Sequence, residues 1–185
     1  LAVTKIEAAR AGAVIVGEDL GVIPDGLRSD LASSGIYGCR VAIFERHWDS
    51  DSSFVAPEHY PEQVVASFGS HDLPLWKGWR QGCDIDWRWR LGEITSQEAN
   101  EAHTRRAGEV AAFDAGADDA GGAVTVMIDF IARTNARLAA IQIEDILGAL
   151  EQPNLPGTVF DHPNWRRRLA VGVQTLADDA TMHQV

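Results

Sequence analysis

Four short apolar runs along this chain each end in a carboxylate. Ala13-Val14-Ile15-Val16-Gly17 precedes Glu18-Asp19, Cys39 to Phe44 precedes Glu45, Val64 to Ser70 precedes His71-Asp72, and Leu138 to Ile143 precedes Glu144-Asp145. Runs without polar alternation read as strands buried on both faces, the pattern of a parallel sheet. The step from residue 18 to residue 45 is 27 positions, and from 45 to 72 another 27. Each matches about one βα unit, given the ~30 residues of such a motif. The step from 72 to 144 is 72 positions, which fits one unit carrying an insertion. Parallel strands ending in functional groups place those groups along the C-terminal edge of a sheet. Four units are half of an eight-stranded barrel, whose usual length is ~250 residues. A four-stranded open α/β sheet fits the patterning equally.

Between the runs, Leu1 to Ala11 reads as a helix stopped by Gly12, and Pro24 precedes a helix over 25–33 stopped by Gly35. A polar loop with Pro57 and Pro61 follows. The pattern changes over residues 73–135. Four tryptophans fall between 75 and 89. Thr95 to Phe113 is polar and helical with Ser96 as N-cap, residues 115–122 form a loop, and Val124, Met127, Ile128 and Ile131 give residues 124–135 a helical period. After the fourth run, Asn154-Leu155-Pro156-Gly157-Thr158 is a turn-rich loop. Residues 165–176 read as the last helix, and the tail after Asp178 is polar.

Composition removes several function classes. With 45% hydrophobic and 23% charged residues in 185, the chain is globular and about one domain. A net charge of −11 disfavours nucleic acid and anionic membrane surfaces as partners. No apolar run reaches the ~20 residues of a membrane span. The chain opens on Leu1, without Met and without the basic and apolar regions of a signal peptide. Such an opening fits a start partway through a longer protein and a cytoplasmic location. Cys39 and Cys83 read as free thiols in a reducing compartment. The six histidines lack HExxH or HxH spacing, so no metal site is expected.

The chemistry gathers at the ends of the runs. Glycines on both sides of Glu18-Asp19-Leu20 allow a sharp turn that leaves an acid projecting into a cleft, although a turn with a capping acid fits the same five residues. In Ser70-His71-Asp72, an imidazole beside a carboxylate can bind hydroxyls, though neighbours on a strand point to opposite faces. No GxSxG, GxGxxG or GxxxxGK is present, which leaves serine hydrolysis and nucleotide binding without their fingerprints. Of six tryptophans, at least half are expected in the core. Trp48 and Trp76 follow strand ends, where an indole can stack on a sugar ring.

Val16-Gly17-Glu18-Asp19-Leu20-Gly21-Val22-Ile23-Pro24 resembles the segment that carries the acid/base Glu of 4-α-glucanotransferases (amylomaltase or disproportionating enzyme), retaining enzymes of the α-amylase clan. Ser70-His71-Asp72-Leu73-Pro74 with Lys77-Gly78-Trp79 resembles a later motif of that family. Glu144 to Gly148, Asn154 to Thr158 and His162-Pro163-Asn164-Trp165-Arg166-Arg167-Arg168-Leu169 resemble its C-terminal block. These segments occur in the family's order and cover nearly the whole chain.

The resemblance implies that residues 1–185 are the C-terminal half of a (β/α)8 TIM barrel. Strands five to eight would end at Glu18, Glu45, Asp72 and Glu144, with 73–135 a helical insertion between strands seven and eight. It implies that Glu18 is the general acid/base and Asp72 the third carboxylate. It implies substrate contacts from His71, Asp19, Glu45, Trp48, Trp76 and Asn164, with Trp165 beside the cleft or packing under it. The substrate would be an α-1,4-glucan or maltooligosaccharide. The family's nucleophile is an Asp in an Arg-x-Asp strand upstream of the Glu18 motif, and no Asp lies among the first 17 residues. This chain alone is therefore expected to be inactive, and to self-associate or pair with the missing N-terminal half. Leu75-Trp76 after Pro74 also departs from the Thr and Leu more usual in the family. A glucan hydrolase of the same clan, a non-catalytic glucan-binding or assembly half-barrel, and an α/β domain without sugar function are the rival readings.

Overall fold

A computed structural model describes residues 1–116 and 123–183. Helix α1 (Ala2–Ala11) ends where the sequence predicts. Gly12 adopts φ 61, and its N–H turns back to the carbonyls of Ala8 and Ala9, a backbone state open to glycine at little cost. Helix α2 (Leu27–Ser33) follows Pro24. Three strands, β1 (Gly38–Val41), β2 (Val64–Ser67) and β3 (Leu138–Ala140), pair in that order and all in parallel. The first apolar run adds a single parallel bridge. Gly17 N–H donates to Tyr37 O at 2.7 Å and Tyr37 N–H to Ile15 O at 2.9 Å. The four runs thus lie side by side, in sequence order, with their C-terminal ends on one edge.

The outer members of this sheet differ from the expectation of burial on both faces. Val14 and Val16 are exposed, as are all three residues of β3. Each is paired on one side only among the described residues, so little covers it. In β2, by contrast, Val64 and Ala66 are buried and Phe68 continues the same face. The second unit also departs from a βα pattern. Residues 42–45 turn instead of extending β1, and the way to β2 passes a 3₁₀ turn at Pro57–His59 rather than a helix.

Among the described residues, four helices lie between β2 and β3: α3 (Trp76–Gln81), α4 (Cys83–Arg90), α5 (Ser96–Ala115) and α6 (Ala123–Ala132). Part of the expected loop at 115–122 falls outside the described residues, and α5 runs through Ala115. The N-cap of α5 is Thr95, not Ser96. Thr95 Oγ1 accepts from Glu98 N–H at 3.2 Å, and Glu98 Oε2 accepts from Thr95 N–H at 2.7 Å. Position 99, three beyond Ser96, is Ala and could return no such bond. Gly82 joins α3 to α4 at φ 74, and a Cβ there would meet the His103 ring.

The core lies where these helices cover β2. Phe68 meets Trp76, Trp79 and Phe113 at ring separations of 4.8, 5.3 and 5.9 Å. Trp76 and Trp79 stack at 5.6 Å, and Met127, Phe130 and Ile131 of α6 close the cluster. After β3, Glu144 sits in the short helix α7 (Ile143–Ile146) rather than at a strand end. No helix forms over 165–176; a 3₁₀ turn spans Val173–Asp178. Trp165 has φ 58, which cannot begin a right-handed helix. Arg166, Arg167 and Arg168 are exposed and offer no apolar stripe to bury.

Candidate functional site

The bridge at Val16 aims the next two side chains in opposite directions. Glu18 is exposed. Asp19 is 1% exposed, and its carboxylate is fully engaged. Oδ1 accepts from Cys39 N–H at 2.6 Å, and Oδ2 accepts from Arg40 Nη1 at 2.9 Å and Arg28 Nε at 3.0 Å. Gly38 leaves room for this approach, since a Cβ there would lie 3.0 Å from Asp19 Oδ2. Burial alone would raise the Asp19 pKa, but the Cys39 N–H and the two arginines outweigh it and hold the pKa below the ordinary value. The expected substrate contact from Asp19 is therefore corrected. Its acceptors face protein, and its work is to pin the backbone that presents Glu18.

Arg40 leads from this anchor to the second strand end, with Nε 3.8 Å from Glu45 Oε1. Glu45 is half-buried. Burial raises its pKa, and Arg40 and Arg28 partly offset the rise. Three residues on, Trp48 is 65% exposed, with Nε1 donating to Phe44 O at 3.2 Å. It offers an open indole face on the loop after β1.

Beyond β2, the backbone turns at His71 and Asp72, closed by Leu73 N–H donating to Ser70 O at 3.0 Å. Asp72 N–H donates to Ser70 Oγ at 3.3 Å. The side chains are 60% and 45% exposed, with His71 Nε2 3.5 Å from Asp72 Oδ1. Asn154 Nδ2 donates to Asp72 Oδ1 at 2.6 Å. Buried Gln152 donates through Nε2 to Asp72 O at 3.3 Å and Asn154 O at 2.6 Å. One oxygen of Asp72 is thus held by the 152–154 loop. Sequence reasoning read Asn154 as part of a turn-rich loop within a family-like segment, gave it no site role, and passed over Gln152. An Asn opening Asn-Leu-Pro-Gly was the available signal, since its short amide serves turns and partners alike.

Two further expected contacts are corrected. Trp76 is 1% exposed inside the aromatic core, and its backbone N–H donates to Asp145 Oδ1 at 2.6 Å. Asp145 is itself buried, and burial first, then neighbouring Glu144, pushes its pKa up to about 6 against the opposing Trp76 N–H. Asn164 is spent on protein. Oδ1 accepts from Leu155 N–H at 2.9 Å and lies 2.7 Å from His162 Nδ1, while Nδ2 donates to Thr158 O and Oγ1 at 3.0 and 2.9 Å. It ties the 154–158 loop to the 162–165 turn.

A groove of about 560 Å³ lies between Glu144, Gly148, Leu150 and Arg167. Glu18, Glu45 and Asp72 are not among its walls. Among the described residues no group of three or more His, Cys, Asp or Glu is placed to hold a metal, and no helix is long and apolar enough to cross a membrane. Cys39 and Cys83 are free.

A family model described as 4-alpha-glucanotransferase matches residues 1–174. A 4-alpha-glucanotransferase of Mycobacterium tuberculosis is 32% identical over 178 residues, covering 90% of this chain and 25% of the relative. One from Haemophilus influenzae is 27% identical over 187 residues, covering 92% and 26%. The crystal structure of amylomaltase from Corynebacterium glutamicum matches with a TM-score of 0.85 at 26% identity, over 97% of this chain and 29% of that one. Amylomaltase from Streptococcus agalactiae, solved in complex with acarbose, matches at 0.56 and 21% identity, a likeness of fold. The chain spans about a quarter of the length of these curated relatives.

Proposed function

The chain belongs to the 4-alpha-glucanotransferase family, and from that premise we propose that it supplies the acid/base side of a retaining site that moves α-1,4-glucan segments between maltooligosaccharides. In this reading the Val16 segment, β1, β2 and β3 are strands five to eight of a (β/α)8 barrel, and residues 73–135 are an insertion after strand seven. The observation that carries it is the parallel order of the four segments. It brings Glu18, Glu45 and Asp72 to one edge, with Glu18 exposed beside the fixed Asp19.

Glu18 protonates the departing glycosidic oxygen, then as a carboxylate takes the proton of the incoming 4-hydroxyl. Asp72, with one oxygen held by Asn154 and nearly half its surface open, accepts hydroxyls of the distorted ring, and His71 bonds the same sugar. Glu45 and Trp48 contact neighbouring glucose units. Retention requires a second carboxyl ~5–5.5 Å from the first, acting as nucleophile. No Arg-x-Asp segment stands before Glu18 in these 185 residues, so that carboxylate comes from a polypeptide segment outside them. The exposed outer members of the sheet, Val14 and Val16 on one side and β3 on the other, suit pairing with such a segment or with a second copy. Linear maltodextrin in the cytoplasm is the proposed substrate pool.

A second reading is a half-barrel that binds glucan without turning it over. One assay separates the two. The 185-residue chain should bind maltoheptaose and release no glucose from maltotriose. Joined to a segment carrying the Arg-x-Asp strand, it should disproportionate maltotriose, and Glu18→Gln should lower that rate about 10²–10⁴-fold with binding retained. A joined chain that binds without turnover would favour the second reading. Robust turnover by the isolated chain would overturn the assignment of roles, with Glu45 or Asp72 then the first nucleophile candidates.

A further inference from the structure

Trp165 is held in a backbone state that suits it poorly. Its φ of 58 is left-handed, a region that bulky L-residues avoid. Three supports keep it there. Trp165 N–H donates to Pro153 O at 2.9 Å, Arg166 N–H to Pro163 O at 3.2 Å, and the four contacts of Asn164 fix the preceding residue. Burial does not offset this strain, because the indole is 64% exposed. It leans over His71, with ring centroids 5.4 Å apart and planes at 45°. Strain that persists without a packing return tends to mark a functional position.

The surroundings suggest which function. Beside the indole stand an imidazole and, 3.5 Å from it, a half-open carboxylate whose position Asn154 fixes. An apolar face next to hydroxyl-binding groups is complementary to a pyranose, which has a CH face and a polar rim. We infer that Trp165 is a stacking platform for a glucosyl unit of an α-1,4-glucan whose hydroxyls reach His71 and Asp72. The inference rests on the glucan reading above. Pro153, Asn164 and the 154–158 loop are then positioning elements for the indole, which gives the half-buried hydrogen bonds of Asn164 a role in binding without substrate contact.

The test is maltoheptaose binding to the 185-residue chain by titration calorimetry, with thermal melting alongside. Glycine is at ease at φ 58, so Trp165→Gly should leave the melting temperature unchanged or raise it, yet weaken maltoheptaose binding about tenfold. Trp165→Phe keeps a ring and should stay within about threefold of the parent. The platform is overturned if Trp165→Gly binds within twofold of the parent, and the glucan reading then stands. It is likewise overturned if Trp165→Gly melts earlier, or if Trp165→Phe loses as much binding as the glycine variant. A parent chain with no maltoheptaose binding overturns both the platform and the glucan reading.

Discussion

Trp76 and Trp79 are 1% exposed, interlocked with Phe68 and Phe113 under the helices between β2 and β3. Trp48 and Trp165, on loops beyond the strand ends, are 65% and 64% exposed. Apart from the half-exposed Trp89, the helical layer spends its aromatics on packing, and its charges pair at its margins, as Arg80 does with both oxygens of Asp114 at 2.6 and 2.8 Å. The strand-end loops do the reverse. They leave indoles bare and hold carboxylates by a few directed bonds, with Glu18 and part of Asp72 open. One region makes the fold; the other is arranged at its edge and, apart from the buried Asp19 anchor, has little stability of its own to lose. If so, substitutions should separate into those that unfold the chain and those that spare it.

The largest effect should come from the aromatic layer. Trp79→Ala or Phe113→Ala opens a cavity in contact with several rings and should cost about 3–5 kcal/mol in denaturant unfolding. A loss under 1 kcal/mol would erase the distinction between the two regions. Asp19→Ala comes next, because it strands Arg40 without its buried partner, and about 3 kcal/mol should be lost. Asp19 also carries a sign. Its folded pKa is depressed, so its contribution is present above the ordinary carboxylate pKa and fades as pH falls through the folded value.

Asp145 should behave oppositely. Its folded pKa is raised to about 6, so the folded chain holds the proton that the unfolded chain releases near the ordinary value of 3.8. The stability from the protonated form is complete below that ordinary value and is lost as pH rises through about 6. Asp145→Asn keeps an acceptor for Trp76 N–H without the charge. It should be nearly neutral at about pH 3.5 and stabilise by on the order of 2 kcal/mol at about pH 8. Urea titrations of both forms across that range check it, and equal effects at both ends would refute the assignment. Thr95→Ala removes the capping box of α5 and should cost about 1 kcal/mol, whereas Ser96→Ala should cost less than half of that. Asp72→Ala should be smallest in stability, within about 0.5 kcal/mol.

Much of this arrangement was legible from residue order. Gly12 and Gly35 ended helices where their freedom at positive φ was needed, and the recurring run-plus-acid pattern foretold parallel neighbours. The division of labour within motifs was harder to read. Trp48 and Trp76 both follow strand ends, and only the i, i+3 spacing of Trp76 and Trp79 hinted that the second pair shared a buried helix face. Glu18 and Asp19 could not both face a substrate on one extended segment, and alternation required one to turn inward. Which one did so depended on Arg40 and Gly38, 20 residues away or so along the chain, and such partners are invisible locally. The missing last helix had a local cause, since Trp165 is held at φ 58 and Arg166 to Arg168 offer no apolar stripe.

In the proposed reading Glu18 is the proton-transfer group, on backbone pinned by the buried Asp19. The most direct test uses the chain joined to a segment that carries the Arg-x-Asp strand, with Glu18→Ala, and compares two donors. Maltotriose needs its departing oxygen protonated; α-maltosyl fluoride does not, because fluoride leaves unaided. The variant should be crippled about 10²–10⁴-fold on maltotriose yet consume the fluoride at a rate near the parent's when azide is present as acceptor, giving a maltosyl azide of retained configuration. Equal losses on both donors, with no azide product, would contradict the assignment of Glu18.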